Sequence, residues 1–249
     1  MKHWLISIVA FFICPKLFSQ NCGDYEKLLK DIYASVEKLN NEDKGYTAEY
    51  CAYTLYKNNT EAVKENVKLF INKTETRILA DNFIILKDTT VQVSIVKTPG
   101  TILISDVVAS GSLNNNLYFN LMRDSLLAES KITKCRADTL EGKKVVCLSL
   151  GLSERLKQKV EITGLKFWID EDKKQIKKIS ATILNNPLIE KITIVFLKQE
   201  ILDQHTAILE KRPLEYVFDG DGKPVTEFRD YKLIDARKKT VINRKNDSL

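Results

Sequence analysis

Histidine is nearly missing from this chain: two residues, His3 and His205, occur in 249. A metal site built on several imidazoles is therefore excluded. A Ser-His-Asp or Cys-His arrangement would have to rest on His205, and no nucleophile turn is written near it. Nine glycines and five prolines are few for this length. They form no glycine-rich phosphate loop, and they leave few places where a sheet could bend sharply. The longest apolar run, Trp4 to Cys14, is too short to span a bilayer comfortably. Neither sign of charge dominates, with 39 Lys and Arg against 33 Asp and Glu, and basic runs are as short as Arg237-Lys238-Lys239. The basic, aromatic-interleaved stripe that tracks nucleic acid is absent, so no nucleic-acid partner is expected.

Two acidic turns remain as candidate chemistry. Asp170-Glu171-Asp172 could be posed as hydrolytic carboxylates, but lysines flank it and it sits between two strand patterns. Asp219-Gly220-Asp221-Gly222 alternates oxygen donors as a calcium loop does, yet Lys223 takes the third odd position. Both read as turns. The chain is expected to be no enzyme and to use no metal and no cofactor.

What the chain does have begins with Met1-Lys2-His3 and the apolar run behind it. This is the pattern of a secretory signal over residues 1–20, cleaved near Gln20. The expected location is the periplasm or the extracellular space. Cleavage removes Lys2 and Lys16 and no acid, so the formal charge falls from +6 to +4. Phe18-Ser19-Gln20-Asn21 is not the small-residue approach of a lipidated cysteine, so Cys22 is expected to carry no anchor. The remaining cysteines, Cys22, Cys51, Cys135 and Cys147, suit an oxidising compartment. Three pairings are open. The favoured one joins Cys135 to Cys147 across a hairpin at Glu141-Gly142 and leaves Cys22 with Cys51.

Residues 21–249 read as one domain with one hydrophobic core. Tyr25, Leu28, Leu29, Ile32, Tyr33, Val36 and Leu39 are spaced for a one-sided helix. Strand patterns follow, starting with an aromatic face of Tyr46, Ala48, Tyr50, Ala52 and Tyr56. Short runs at about 63–71, 77–80, 83–86, 91–96 and 101–108 are parted by turn residues. A second helix is expected over Leu117 to Leu127, with a strand over Leu117 to Met122 as the alternative, and a charged connector over Ser153 to Lys159. The segment 164–199 is the clearest meander. Leu165, Phe167 and Ile169 share a face, as do Ile179, Ala181 and Ile183, and Ile192, Ile194 and Phe196. Trp168 has the opposite parity. From about 205 a C-terminal extension reads as a hairpin around the Asp219-Gly222 turn, and residues 238–249 read as a polar tail.

This order of elements, with the Leu165 to Ile179 hairpin written as an apolar strand ending Trp168-Ile169-Asp170, resembles the outer-membrane lipoprotein carriers, the LolA-like family. The likeness runs over about residues 24–199. It departs where Phe70 to Arg77 lacks the family's proline and where Ser105-Asp106 is followed by Val107. The resemblance implies an α+β fold of LolA/LolB kind: a strongly curved antiparallel β-meander, an incomplete barrel, covered by helices. It also implies a non-enzymatic periplasmic carrier or chaperone that holds acyl chains of lipoproteins or related lipids in an apolar cavity. Tyr46, Tyr50, Leu69, Ile95, Phe167, Ile179 and Ile194 are the expected cavity lining. The expected partners are lipoprotein or lipid cargo and envelope membrane proteins. The alternative is a cell-envelope protein-interaction module that uses the sheet face or the C-terminal hairpin.

Overall fold

A computed structural model of the chain describes residues 22–41, 44–107, 129–203 and 206–237. The signal segment, the expected helix at 117–127, His205 and the tail from 238 lie outside the described residues.

The first helix, α1 (Gly23–Asn41), starts with Asp24 and Glu26 in its first turn, where carboxylates favour the amide-rich end. Twelve strands follow among the described residues: β1 (Gly45–Tyr56), β2 (Val63–Ile71), β3 (Thr76–Ala80), β4 (Phe83–Lys87), β5 (Val91–Val96), β6 (Thr101–Asp106), β7 (Ser130–Leu140), β8 (Lys143–Leu152), β9 (Ile162–Asp170), β10 (Gln175–Ile183), β11 (Ile189–Leu202) and β12 (Lys232–Asp235). Helix α2 (Glu154–Val160) joins β8 to β9, and helix α3 (Pro213–Val217) follows β11. The expected connector at 153–159 is thus a helix. Its Ser153 hydroxyl accepts from the Leu156 amide at 3.1 Å, the N-cap signal that the charge run concealed.

The strands form one sheet in the order β12-β6-β5-β4-β3-β2-β1-β11-β10-β9-β8-β7. All neighbours are antiparallel except β12, which runs parallel to β6. Side-chain oxygens set many of the turns. Asn72 Oδ1 accepts from the Thr74 and Glu75 amides, Asp88 Oδ1 from Thr90 and Val91, and Asn186 Oδ1 from Leu188 and Ile189. Each carboxylate or amide replaces a backbone partner where the chain reverses. At Glu141-Gly142 both residues have positive φ, 50° and 77°, as a two-residue hairpin turn requires.

The register assigns every strand residue to one of two faces. On the front face one row runs Leu148, Phe167, Ile179, Ile194, Ala52. Leu29 and Ile32 of α1 and Leu156 of α2 pack with this row in the first core. A second core, not expected from the sequence, lies on the back face. Ile84, Ile95 and Ile102 are register partners there, as are Leu86, Val93 and Ile104. Val217 and Phe228 of the C-terminal segment cover them.

The strongly curved, incomplete barrel covered by helices is therefore corrected to an open, mixed twelve-stranded sheet, neither closed nor strongly curled. Among the described residues, its α-helices have 19, seven and five residues. The physical reason is the change of apolar parity along the sheet. A barrel needs every strand to turn its apolar side inward, whereas β8 to β10 bury their front side and β4 to β6 their back side.

The C-terminal hairpin is corrected too. Phe218 and Pro224 make only an isolated bridge. The segment instead forms α3, a 3-10 turn at Thr226–Phe228, and the edge strand β12. Glu75 Oε2 fixes its start by accepting from the amides of Ile208 and Leu209.

The disulfide joins Cys22 to Cys135, and Cys51 and Cys147 are buried free thiols. The favoured pairing fails for reasons of parity. Cys135 lies opposite Leu148 and Arg136 lies opposite Cys147, so Cys135 and Cys147 project to opposite faces. Cys51 points to the back, where its thiol donates to Asn66 Oδ1 at 3.4 Å, away from α1. Cys135 points to the front, where α1 begins.

Candidate apolar front face

Six of the seven residues expected to line a cavity stand on the front face: Tyr46, Tyr50, Leu69, Phe167, Ile179 and Ile194. The seventh, Ile95, is fully buried in the back core with Ile84 and Ile102. The reason is again a parity that changes along the sheet. Phe167, Ile179 and Ile194 are buried, and Phe167 and Ile179 belong to the core packed against α1.

Beyond that core an apolar band continues along the front face. Phe196, Tyr50, Val67 and Ala80 follow one another in register on β11, β1, β2 and β3. Beside them run Ala48, Leu69, Ile78 and Ile85; on β5 the row passes through Ser94 before Leu103 and Ile234 at the β12 edge. Val67 and Leu69 are buried, whereas Val96, Leu103 and Ile234 are about 40% exposed. From β1 to β12 this band extends roughly 29 Å, taking about 4.8 Å per strand step. Ile201, partner of Tyr46 and 60% exposed, extends it at the other side of the strand ends. Phe196, which belongs to this band, was legible only as a core residue.

Among the polar groups on the band, the Ser94 hydroxyl accepts from Gln92 Nε2 at 3.2 Å. The Tyr46 hydroxyl donates to Gln199 Oε1 at 3.1 Å, and Gln199 Nε2 donates to the Ile176 carbonyl at 2.9 Å. Tyr50 stands against Phe196 with ring centroids 5.7 Å apart. Burial pushes the phenols of Tyr33 and Tyr46 well above the ordinary tyrosine range. It pushes Tyr50 up to about 12, with Glu65 adding repulsion. Neutral phenol is thus the folded form, and its contribution to stability is complete below pH 10 and lost as pH rises through about 12. Alkaline titration followed by phenolate absorbance should show these rings ionising late, together with unfolding. Ionisation of all nine tyrosines near pH 10 in folded protein would mean that the band is open to water.

In the two acidic turns, one carboxylate of each is used to fix the backbone. Asp170 is buried and its Oδ1 accepts from the Lys173 amide at 3.0 Å. Asp219 Oδ1 accepts from the amides of Asp221 and Lys223, and Gly222 takes a φ of 73°. Among the described residues, no group of three His, Cys, Asp or Glu side chains is placed to hold a metal. Trp168 projects from the back face, as its parity requires. Its Nε1 donates to Asp138 Oδ2 at 2.9 Å, and the Lys178 ammonium lies 4.5 Å from its ring.

No family model and no curated protein matches the chain. Solved structures similar to it include a putative outer membrane lipoprotein-sorting protein domain of Vibrio parahaemolyticus, 11% identical over 74% of this chain and 95% of its own, with a TM-score of 0.34. An uncharacterised conserved protein of Thermus thermophilus is 8% identical, covers 83% of this chain and 98% of its own, and has a TM-score of 0.43. LprF of Mycobacterium bovis is 10% identical over 76% of this chain and 97% of its own, with a TM-score of 0.41. A LolA superfamily protein of Nitrosomonas europaea is 10% identical over 70% and 94%, with a TM-score of 0.30. With TM-scores below 0.5, these likenesses carry no site and no function over to the chain.

Proposed function

We propose that the protein is a non-catalytic carrier or chaperone of an exported compartment that binds acyl chains of lipoproteins or related lipids along its front face. The observation that carries this reading is the apolar band, which leads from the core under α1 and, interrupted at β5 by Ser94, reaches the half-exposed Leu103 and Ile234 at the β12 edge. An acyl chain occupies roughly 15 Å of one bilayer leaflet, so the band has room for one at full length. Each methylene moved from water contributes about 0.8 kcal/mol, so binding needs no polar motif. Phe167, Ile179 and Ile194 would meet cargo only where α1 yields its place. The outer positions beside Phe83, Ile85 and Val96 are the first contact. The Cys22–Cys135 bridge supports export, since such a bond persists outside the reducing cytosol. The C-terminal segment that motivated a protein-interaction module is used internally, as the cover of the back core.

The test is binding of a fluorescent fatty acid to delipidated protein, followed by native mass spectrometry. Saturable, stoichiometric binding to folded protein is expected. The pair Leu103→Glu and Ile234→Glu should weaken it about tenfold or more, since tenfold corresponds to about 1.4 kcal/mol and two apolar contacts are removed. Probe uptake only on unfolding, or uptake indifferent to both glutamates, would sink the reading.

A further inference from the structure

The back face of the β7 to β11 half carries a different chemistry from the front. Among the described residues, the C-terminal segment packs on the back of β3 to β6. On the other half, the register places Lys134, Ser149, Lys166, Ser180 and Thr193 in one row. The next row is Arg136, Cys147, Trp168, Lys178 and Val195, and a third contains Gly164, Thr182 and Lys191. None of these positions is acidic. Lys134, Arg136, Lys166 and Lys191 are exposed. The two acids of the adjoining row are already engaged: Asp138 accepts from Trp168 and Arg136, and Asp170 is buried in its turn. The Trp168 hydrogen bond, with the Thr139 amide next, holds the Asp138 carboxyl below its ordinary range. At the end of this face Lys177 is pushed down chiefly by desolvation, with Lys173 and Lys143 adding to the shift and Asp170 and Glu141 opposing it.

We propose that this cationic back face, with Lys134, Arg136, Lys166, Lys178 and Lys191 around Trp168, docks the protein on an anionic phospholipid surface. Charge complementarity selects the sign of the partner, and three features select a membrane over an acidic protein. Four of the five cations are lysines, compact point charges that suit mobile head groups rather than a fixed bidentate fork. They are spread across the sheet from β7 to β11, roughly 19 Å, rather than gathered about one point. Trp168 supplies the amphipathic ring favoured at the level of lipid head groups. The attraction acts through the face opposite the apolar band, so it stands whether or not that band holds an acyl chain.

The test is flotation of the chain from residue 21 with vesicles of phosphatidylglycerol and phosphatidylcholine, and with vesicles of phosphatidylcholine alone. Binding to the anionic vesicles and its loss at high salt are expected. Each lysine near such a surface is worth about a fivefold change in affinity, so K134Q/K166Q/K191Q should weaken binding about a hundredfold. The same loss of charge elsewhere, K30Q/K211Q/K223Q, should leave it nearly unchanged, and circular dichroism checks that both variants fold. Equal binding to neutral vesicles would place the contact on the apolar band and overturn the proposal. So would equal weakening by the two triple variants. Absence of binding to anionic vesicles at low salt would overturn it in favour of an acidic protein partner.

Discussion

Replacing Phe228 by alanine is expected to lower the free energy of unfolding by about 3–5 kcal/mol. Phe228 is 2% exposed, and its ring meets Tyr231 edge-on at 5.3 Å and Tyr216 at 6.1 Å. It closes a core whose other wall is Leu86, Val93, Ile95, Ile102 and Ile104 of the sheet. Removing the ring leaves a cavity between a sheet and a segment with little regular structure of its own. A fully buried sheet wall cannot collapse onto the space without breaking its ladder. Domains of this kind have only about 5–15 kcal/mol in total, so urea unfolding should show a large fall in midpoint. A loss below about 1 kcal/mol would mean that residues 206–237 are an appendage to the fold. Truncation before Pro213 should accordingly destabilise the whole chain.

The second large effect concerns the bridge. The C22S/C135S pair should lose about 4 kcal/mol, because the bond closes a loop of 113 residues and restrains the unfolded chain across nearly half its length. It also ties the start of α1 to the edge strand β7. The ion pair between this helix and the β9–β10 turn cannot replace it: Asp31 approaches Lys174 only to 4.0 Å, an exposed pair worth little. Denaturant unfolding of oxidised protein against the double variant measures the cost. Peptide mapping without reduction should recover Cys22 linked to Cys135. Recovery of Cys135 with Cys147 would require both side chains on one face and would overturn the register of β7 on β8. Replacement of Cys147 alone should leave the bridge intact.

Much of the fold was legible where one physical signal acts locally. Tyr25, Leu28, Leu29, Ile32 and Tyr33 announce α1 because a helix repeats every 3.6 residues. Asn72, Asp88 and Asn186 announce turns because their side chains satisfy the amides of a reversing chain. The opposite parities of Phe167 and Trp168 placed one in the core and the other on the back. Within β1 the same rule put Tyr46 and Tyr50 on one face. The helix α2 was hidden because Glu154 to Lys159 is almost wholly charged or polar, and its one informative signal was Ser153 followed three residues later by an amide to cap.

The misreadings share a cause. Alternation fixes which residues of one strand share a face, but it does not say on which side of the sheet that face falls relative to distant strands. Ile95 was grouped with Phe167, although the strands between them and a change of covering element put them on opposite sides. Cys135 and Cys147 look opposed in a hairpin, yet a shift of one position reverses a side chain's face. The C-terminal segment carries too few apolar residues in regular spacing to reveal that it covers a core.

By itself the sequence determined an α+β chain that opens on an amphipathic helix and continues as a long succession of short strands. Those are properties of composition and of periods of two and 3.6 residues, which act within a few neighbours. Only the tertiary structure decided that the sheet stays open, that its cores lie on opposite faces, that Cys22 meets Cys135, and that an apolar band and a cationic face occupy opposite faces of different halves of the sheet. These follow from register and coverage between segments far apart in sequence, where no local preference operates.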